Sequence, residues 1–344
     1  MTANEAQYDA ALVMSFGGPE RQEDVIPFLE NVLRGKNVPR ERMLQVAEHY
    51  YQFGGKSPIN EQNRRLIAAL ERELAEHGPK LPVYWGNRNW RPLLAETLER
   101  MKNDGVRRAL AFVTSAYSSY SGCRQYRENI AAAQAAVGEG APVVDKLRVF
   151  HNHPGFVEAL ADRVNDALLQ LPEEQRAAAQ LLYTAHSIPT AMAHGCDYAE
   201  QLRETGRLVA ERLGRENWRV VYQSRSGPAT QPWLEPDVLD YLREYKAHGN
   251  SAPVVIAPIG FISDHMEVIF DLDTQAKTLC DELGLTMVRA ATVGTHPRFI
   301  RMIRELICER MDPSLPRMAC GVLPLRPDFC PADCCLPGAR PVGR

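Results

Sequence analysis

Short apolar runs rich in β-branched residues alternate with amphipathic stretches along the whole chain. A parallel sheet with crossover helices produces this alternation, because its strands are buried on both faces while each helix buries only one. The runs predict strands near 10–15, 81–85, 108–114 and 143–150, then near 180–185, 218–223, 253–258 and 286–292. Helices are expected between them. One covers 58–77, started by Ser57-Pro58 and stopped by Gly78-Pro79; others cover 201–213, closing at Gly214, and 297–310. Four strands in each half predict an α/β protein of two doubly wound, Rossmann-like domains with four-stranded parallel sheets. The domains would span residues 1–150 and 151–312, with the last helix packing back on the first, and residues 313–344 would form a Cys-rich tail.

Ligand chemistry in open α/β sheets collects at the carboxyl ends of strands. Two strand ends carry ionisable groups. The run Leu181-Leu182-Tyr183-Thr184-Ala185 leads into His186-Ser187-Ile188-Pro189, and the run ending at Ala257 leads into a segment holding Asp264, His265, Glu267, Asp271 and Asp273. One pocket with His186 facing Glu267 is the expectation. Asp264, Glu267 and Asp271 fall at i, i+3 and i+7, one face of an α-helix; a wider π-turn would align Glu267, Asp271 and Gln275 instead. Acids at a helix start also occur simply because they complement the macrodipole. Met266, Val268, Ile269 and Phe270 interleave these acids, however, which argues for partial burial, and buried acids call for cations or exchangeable protons.

Composition narrows the function. With 45% hydrophobic and 24% charged residues, a formal charge of −3 and a pI near 6.3, the chain has no electrostatic footprint for nucleic acid, so small-molecule chemistry is the expectation. The N-terminal residues are polar and acidic, unlike a signal peptide, and no run approaches the roughly 20 apolar residues of a spanning helix. A cytoplasmic protein with reduced thiols is expected. Cys320, Cys330, Cys334 and Cys335 crowd the last 25 residues, a Pro-rich tail that would need a staple to order itself, which points to a metal centre. Cys280 and Cys308 fall among apolar helix positions and read as core.

The remaining strand-end loops, Ser15 to Glu20, Gly86 to Trp90, Ser115 to Gly122 and Gln223 to Pro228, are rich in aromatics and hydroxyls with occasional arginines. Such walls suit a flat apolar ring bearing carboxylates. Four motifs then occur in order: Ser15-Phe16-Gly17-Gly18-Pro19, Thr184-Ala185-His186-Ser187-Ile188-Pro189, Pro232-Trp233-Leu234-Glu235-Pro236-Asp237 and Gly260-Phe261-Ile262-Ser263-Asp264-His265-Met266-Glu267. Together they resemble the ferrochelatases, which insert ferrous iron into a porphyrin, and the resemblance runs from about Tyr8 to Glu309. It implies chelatase-type domains with the porphyrin in the cleft between them. His186 would be base and metal ligand on one face of the ring and Glu267 metal ligand on the other, with Asp271 as relay and Asp264 and His265 orienting the turn. Phe16, Arg34, Tyr50, Ser57 and Tyr126 would contact the macrocycle, Arg34 meeting a propionate.

Phe16 stands where some bacterial relatives carry a tyrosine able to ligate the product iron. Gly195-Cys196-Asp197-Tyr198 replaces the Gly-Asp-Pro-Tyr of many members. The chain also resembles those ferrochelatases, actinobacterial coproporphyrin III enzymes among them, that hold a [2Fe–2S] cluster. Cys196, Cys320, Cys330 and Cys335 are the implied ligands, with Cys334 as alternate for Cys335 and Cys123 for Cys196. The absence of a long apolar lip and the polar 115–125 stretch favour coproporphyrin III over membrane-drawn protoporphyrin IX. Insertion of another metal such as cobalt and a non-catalytic porphyrin carrier with an Fe–S sensor are the rival readings. Expected partners are porphyrin and ferrous iron, with transient contact to neighbouring haem-pathway enzymes, and no nucleic acid.

Overall fold

The computed structural model describes residues 8–36, 38–227 and 230–338. Two four-stranded parallel sheets form its frame. The first contains β1 (Ala10–Ser15), β2 (Val83–Asn87), β3 (Arg108–Val113) and β4 (Val143–Lys146) in the order β2-β1-β3-β4. The second contains β5 (Gln180–His186), β6 (Trp218–Gln223), β7 (Val254–Ala257) and β8 (Met287–Arg289) in the order β6-β5-β7-β8. The central strands are buried on both faces, as their unbroken apolar runs require: every residue of β1 and β7 is buried. In each sheet the chain reverses its winding beside the first strand, so β1 and β5 end in a crevice.

A continuous apolar core joins the inner faces of the sheets through the helices Ile59–His77, Pro154–Leu168, Tyr198–Arg212 and Pro297–Met311. The last helix lies against both Pro154–Leu168 and Ile59–His77, and Arg304 pairs with Glu73 at 2.9 Å. Smaller clusters cover the outer faces. A fourth, built on Val25, Phe28, Leu29, Met43 and Ala47, folds the helices Val25–Val32 and Arg40–Tyr51 into a flap beside the β1 crevice.

Buried charge fixes the junction to the tail. Arg148 Nε meets Glu309 Oε1 at 2.5 Å with both side chains buried, and Arg148 Nη2 donates to the Met318 carbonyl at 2.8 Å. Glu309→Leu strands that guanidinium, so the urea midpoint should fall by an amount corresponding to about 3–5 kcal/mol, and adding Arg148→Met should restore most of the loss.

Candidate functional site

Glu267 reaches His186 because the loop after β7 passes unusually close to β5. A Cβ on Gly260 would stand 2.5 Å from the Cβ of Ala185; instead the Gly260 amide donates to the Thr184 carbonyl at 3.0 Å. His265 caps the next turn, its Nδ1 accepting the Glu267 amide at 3.2 Å. His186 Nε2 then lies 3.7 Å from Glu267 Oε2, both side chains partly open to solvent. An aromatic sheet needs about 3.5 Å on each side. As they stand, the two groups leave no room for a ring between them.

The imidazole is oriented by its surroundings. His186 Nδ1 contacts the Ser187 carbonyl, which can only accept, so Nδ1 carries a hydrogen and Nε2 is the ring nitrogen that faces Glu267. Tyr198 donates to the His186 carbonyl at 3.0 Å and the Ser187 hydroxyl donates to the Leu234 carbonyl at 2.8 Å. The motif at 232–237 is thus a brace: the Leu234 amide bonds the Ile188 carbonyl at 3.0 Å, and the Tyr222 amide bonds the Pro236 carbonyl at 2.8 Å.

A π-helix over Ile269–Ala276 carries Asp271 beneath Glu267. The Ser224 hydroxyl donates to Asp271 Oδ2, as does Gln223 Nε2 at 3.3 Å, and the same Gln223 nitrogen donates to the Glu267 carbonyl at 3.1 Å. Burial, reinforced by the Glu267 charge, pushes the Asp271 carboxyl up to about 6. Asp264 does not share a helix face with these acids, because the helix starts only at Met266. Arg289 pairs with Asp264 at 3.1 Å and also with Asp273, while the Asp264 amide donates to Gln62 Oε1 at 2.8 Å. Gln275 is exposed. Glu267 and Asp271 are the acids left to the cleft.

The opposite wall comes from the first sheet. Phe16 and Tyr50 pack edge-on against Phe28, with ring centroids 6.2 and 5.9 Å away. Burial, and then the nearby Glu267 charge, push the Tyr50 hydroxyl above its ordinary range. Phe16 and Arg34 line a recess of about 210 Å³. Ser57 and Tyr126 lie beneath this wall: Ser57 is buried under Gly18, and buried Tyr126 carries the Arg88 guanidinium 4.8 Å above its ring. Sequence reasoning missed Gln223, Ser224, Arg289 and Arg88. Gln223 and Ser224 lie in a loop noted for its hydroxyls, whereas nothing in the sequence ties Arg289 to acids 16 and 25 residues upstream.

The tail cysteines sort themselves. Cys123 and Cys330 lie close enough to shift each other's titration, as do Cys330 and Cys334, and the Cys334 and Cys335 sulfurs are 3.4 Å apart. Cys196, bonded to the Met192 carbonyl at 3.3 Å, lies close enough to Cys334 and Cys335 to feel their charge. Cys320 is elsewhere: its thiol bonds the Asn152 carbonyl at 3.2 Å, and the charges around it are those of Arg212, Glu204, Glu158 and Arg207. It stands apart from the other three tail thiols, and Cys123, the alternate to Cys196, lies beside Cys330. Arg124, next to Cys123, causes this by donating to the Ala332 and Cys334 carbonyls at 2.5 and 3.0 Å and drawing the tail to the π-turn Tyr120–Arg124. Among the described residues no three His, Cys, Asp or Glu side chains are spaced to hold a single metal ion.

The sequence profile of the family Ferrochelatase matches residues 8–311. A ferrochelatase from Rhodopirellula baltica is 58% identical over 97% of both chains. Coproporphyrin III ferrochelatase from Streptomyces coelicolor is 51% identical over 95% of this chain and 93% of its own. Among solved structures, SirB from Bacillus subtilis with Fe³⁺ superposes with a TM-score of 0.57 at 10% identity, covering 90% of this chain and 97% of that one, a likeness of fold. The paired parallel sheets are the chelatase fold, and on the profile and these identities the chain belongs to the ferrochelatase family.

Proposed function

We propose that this chain inserts Fe²⁺ into coproporphyrin III, releasing two protons and yielding the iron porphyrin that keeps four propionates. The observation that carries the reading is the His186–Glu267 pair, an imidazole nitrogen and a carboxylate oxygen 3.7 Å apart at the strand ends of a ferrochelatase-family chain. In this reading Glu267 meets the incoming ion and His186 Nε2 takes a pyrrole proton, while the ring rests against the wall of Phe16 and Tyr50. Asp271, poised to titrate near neutrality, passes protons away from Glu267. The relatives named as coproporphyrin III enzymes support the substrate, as do the cations of the first-sheet wall. Exposed Val38, Leu44 and Phe53 favour a second reading, protoporphyrin IX drawn from a membrane surface. No helix among the described residues is long and apolar enough to cross a membrane, which agrees with a cytoplasmic enzyme.

We also propose a resident [2Fe–2S] cluster on Cys123, Cys330, Cys334 and Cys335. Such a cluster takes two thiolates per iron, and the 3.4 Å approach of the Cys334 and Cys335 sulfurs, with Cys330 and Cys123 near enough to feel their charge, supports the reading. Cys330, with Lys146 and Arg127 nearby, pulls the Cys123 thiol down to about 5, while Cys330 and Cys335 are pushed up. When bound, the cluster would cross-link the tail to the π-turn Tyr120–Arg124.

Anaerobic Fe²⁺ insertion with coproporphyrin III and protoporphyrin IX side by side should favour coproporphyrin, and Glu267→Gln should remove turnover while leaving porphyrin binding intact. The second reading gains if protoporphyrin is preferred. Deprotonation of Asp271 should appear as a kcat limb near pH 6 that Asp271→Asn erases. Its raised carboxyl stabilises the fold below pH 4 and loses that contribution as pH rises through about 6, so the variant should gain up to about 3 kcal/mol at pH 7 relative to pH 4. Protein made with ample iron should contain acid-labile sulfide, which Cys123→Ser should abolish and Cys320→Ser should spare; sulfide retained in the Cys123 variant would remove that residue from the ligand set.

A further inference from the structure

A second recess of about 560 Å³ lies beside, not at, the His186–Glu267 pair. It is continuous with the smaller one: Asn31, Arg34, Arg88, Asn89 and Asn129 line both, while Phe16 and Lys36 border only the smaller. Its floor is apolar, with Leu94, Ala132 and Ala133, and its mouth is cationic. Among the described residues none of Arg34, Lys36 and Arg88 has a carboxylate within 4.0 Å, whereas Arg91 at the far rim pairs with Glu96 at 2.6 Å. Burial, and then repulsion by Arg88, lower the affinity of Lys36 for its proton.

Arg88 is held in place rather than free. Its Nη1 donates to the Ser121 carbonyl at 3.1 Å, and its guanidinium stacks over Tyr126 at 4.8 Å and Phe16 at 5.6 Å. Yet Arg88 Nε and Asn89 Nδ2 are buried donors without acceptors. A buried donor left unpaired is costly, so the geometry calls for an anionic acceptor that the protein itself does not provide. A propionate arm, two methylenes ending in a carboxylate, matches the apolar floor and the cationic rim.

We propose that Arg88, assisted by Lys36 and Asn89, forms a carboxylate subsite that makes this chain prefer a porphyrin with four propionates over one with two. The inference rests on the porphyrin reading above and names the residue that enforces its substrate class. An arm ending in vinyl would leave Arg88 Nε and Asn89 Nδ2 unpaired against an apolar group, which discriminates by the same logic that lets a polar pocket reject an apolar analogue.

The test is fluorescence titration of metal-free coproporphyrin III and protoporphyrin IX, together with insertion kinetics, on the full chain and on Arg88→Met, Arg88→Lys and Lys36→Met. Arg88→Met should raise Kd and KM for coproporphyrin about tenfold or more, with kcat within about twofold and protoporphyrin binding little changed. Arg88→Lys should recover most of the loss, and added salt should weaken coproporphyrin binding more in the parent than in Arg88→Met. Unchanged coproporphyrin binding, equal loss for both porphyrins, or no recovery in Arg88→Lys, the mark of a role in packing Phe16 and Tyr126 alone, would each overturn the proposal. A parent chain that binds coproporphyrin with this pattern but inserts iron into neither porphyrin would refute the activity while leaving the subsite standing.

Discussion

The contact between Gly260 and Ala185 is the constraint on which the site depends. Any side chain at 260 would have to occupy space already filled by the Ala185 Cβ, so the loop after β7 would lift from β5. Lifting it breaks the bond from the Gly260 amide to Thr184 and carries away the turn capped by His265. The 3.7 Å approach of His186 to Glu267 is therefore a property of backbone packing, established before either functional group is considered. The brace of 232–237 acts on the same end of β5 from the other side, through Ser187 and Ile188. One strand end is thus clamped between two loops, and its histidine points into the only direction left.

The frame was legible because it depends on patterns that are local. Strands buried on both faces show as unbroken apolar runs, and all eight stand where those runs fall, although β2 is displaced by two residues to Val83–Asn87 and β8 shortens to Met287–Arg289. The π-helix was legible as one of two alternatives, since the spacing of Glu267, Asp271 and Gln275 suits a wider turn. What escaped depends on contacts between distant segments. Arg289 neutralises Asp264 and Asp273 and so removes two of the four acids from the cleft. Gln223 and Ser224 define the surroundings of Asp271, and Ser224 does so from a left-handed backbone conformation, φ 62°, that nothing in its side chain announces.

The cysteines illustrate the same limit. The resemblance to cluster-bearing ferrochelatases pointed to Cys196 and Cys320, but a resemblance does not measure where the tail runs. Its path is set by polar contacts to surfaces formed elsewhere in the chain. Asn152 donates to the Leu323 carbonyl and accepts from the Cys320 amide, and Glu204 accepts from the Val322 amide at 2.7 Å, which holds the first part of the tail over the junction between the sheets. Arg124 and Arg127 then draw residues 331–334 to the first domain. Cys320 belongs to the first of these segments and Cys330, Cys334 and Cys335 to the second, so in this structure they are held at different surfaces.

The closed gap also says what a macrocycle must do to occupy the cleft. His49 of the flap helix Arg40–Tyr51 stacks on Phe270 of the π-helix, with ring centroids 3.8 Å apart and planes 13° from parallel. Burial, and then the Arg42 charge, hold the His49 ring in its neutral form, so the contact is one of packing rather than charge. Such a pair contributes about 0.5–1.5 kcal/mol beyond its buried area. A single hydrogen bond to a charged carboxylate contributes about 1.5–3 kcal/mol, so one or two propionate contacts on the cationic wall outweigh the stack. Opening the flap is thus within reach of substrate binding. Phe270 lies between Glu267 and Asp271 in the chain, so whatever displaces it bears directly on the turn that carries both acids.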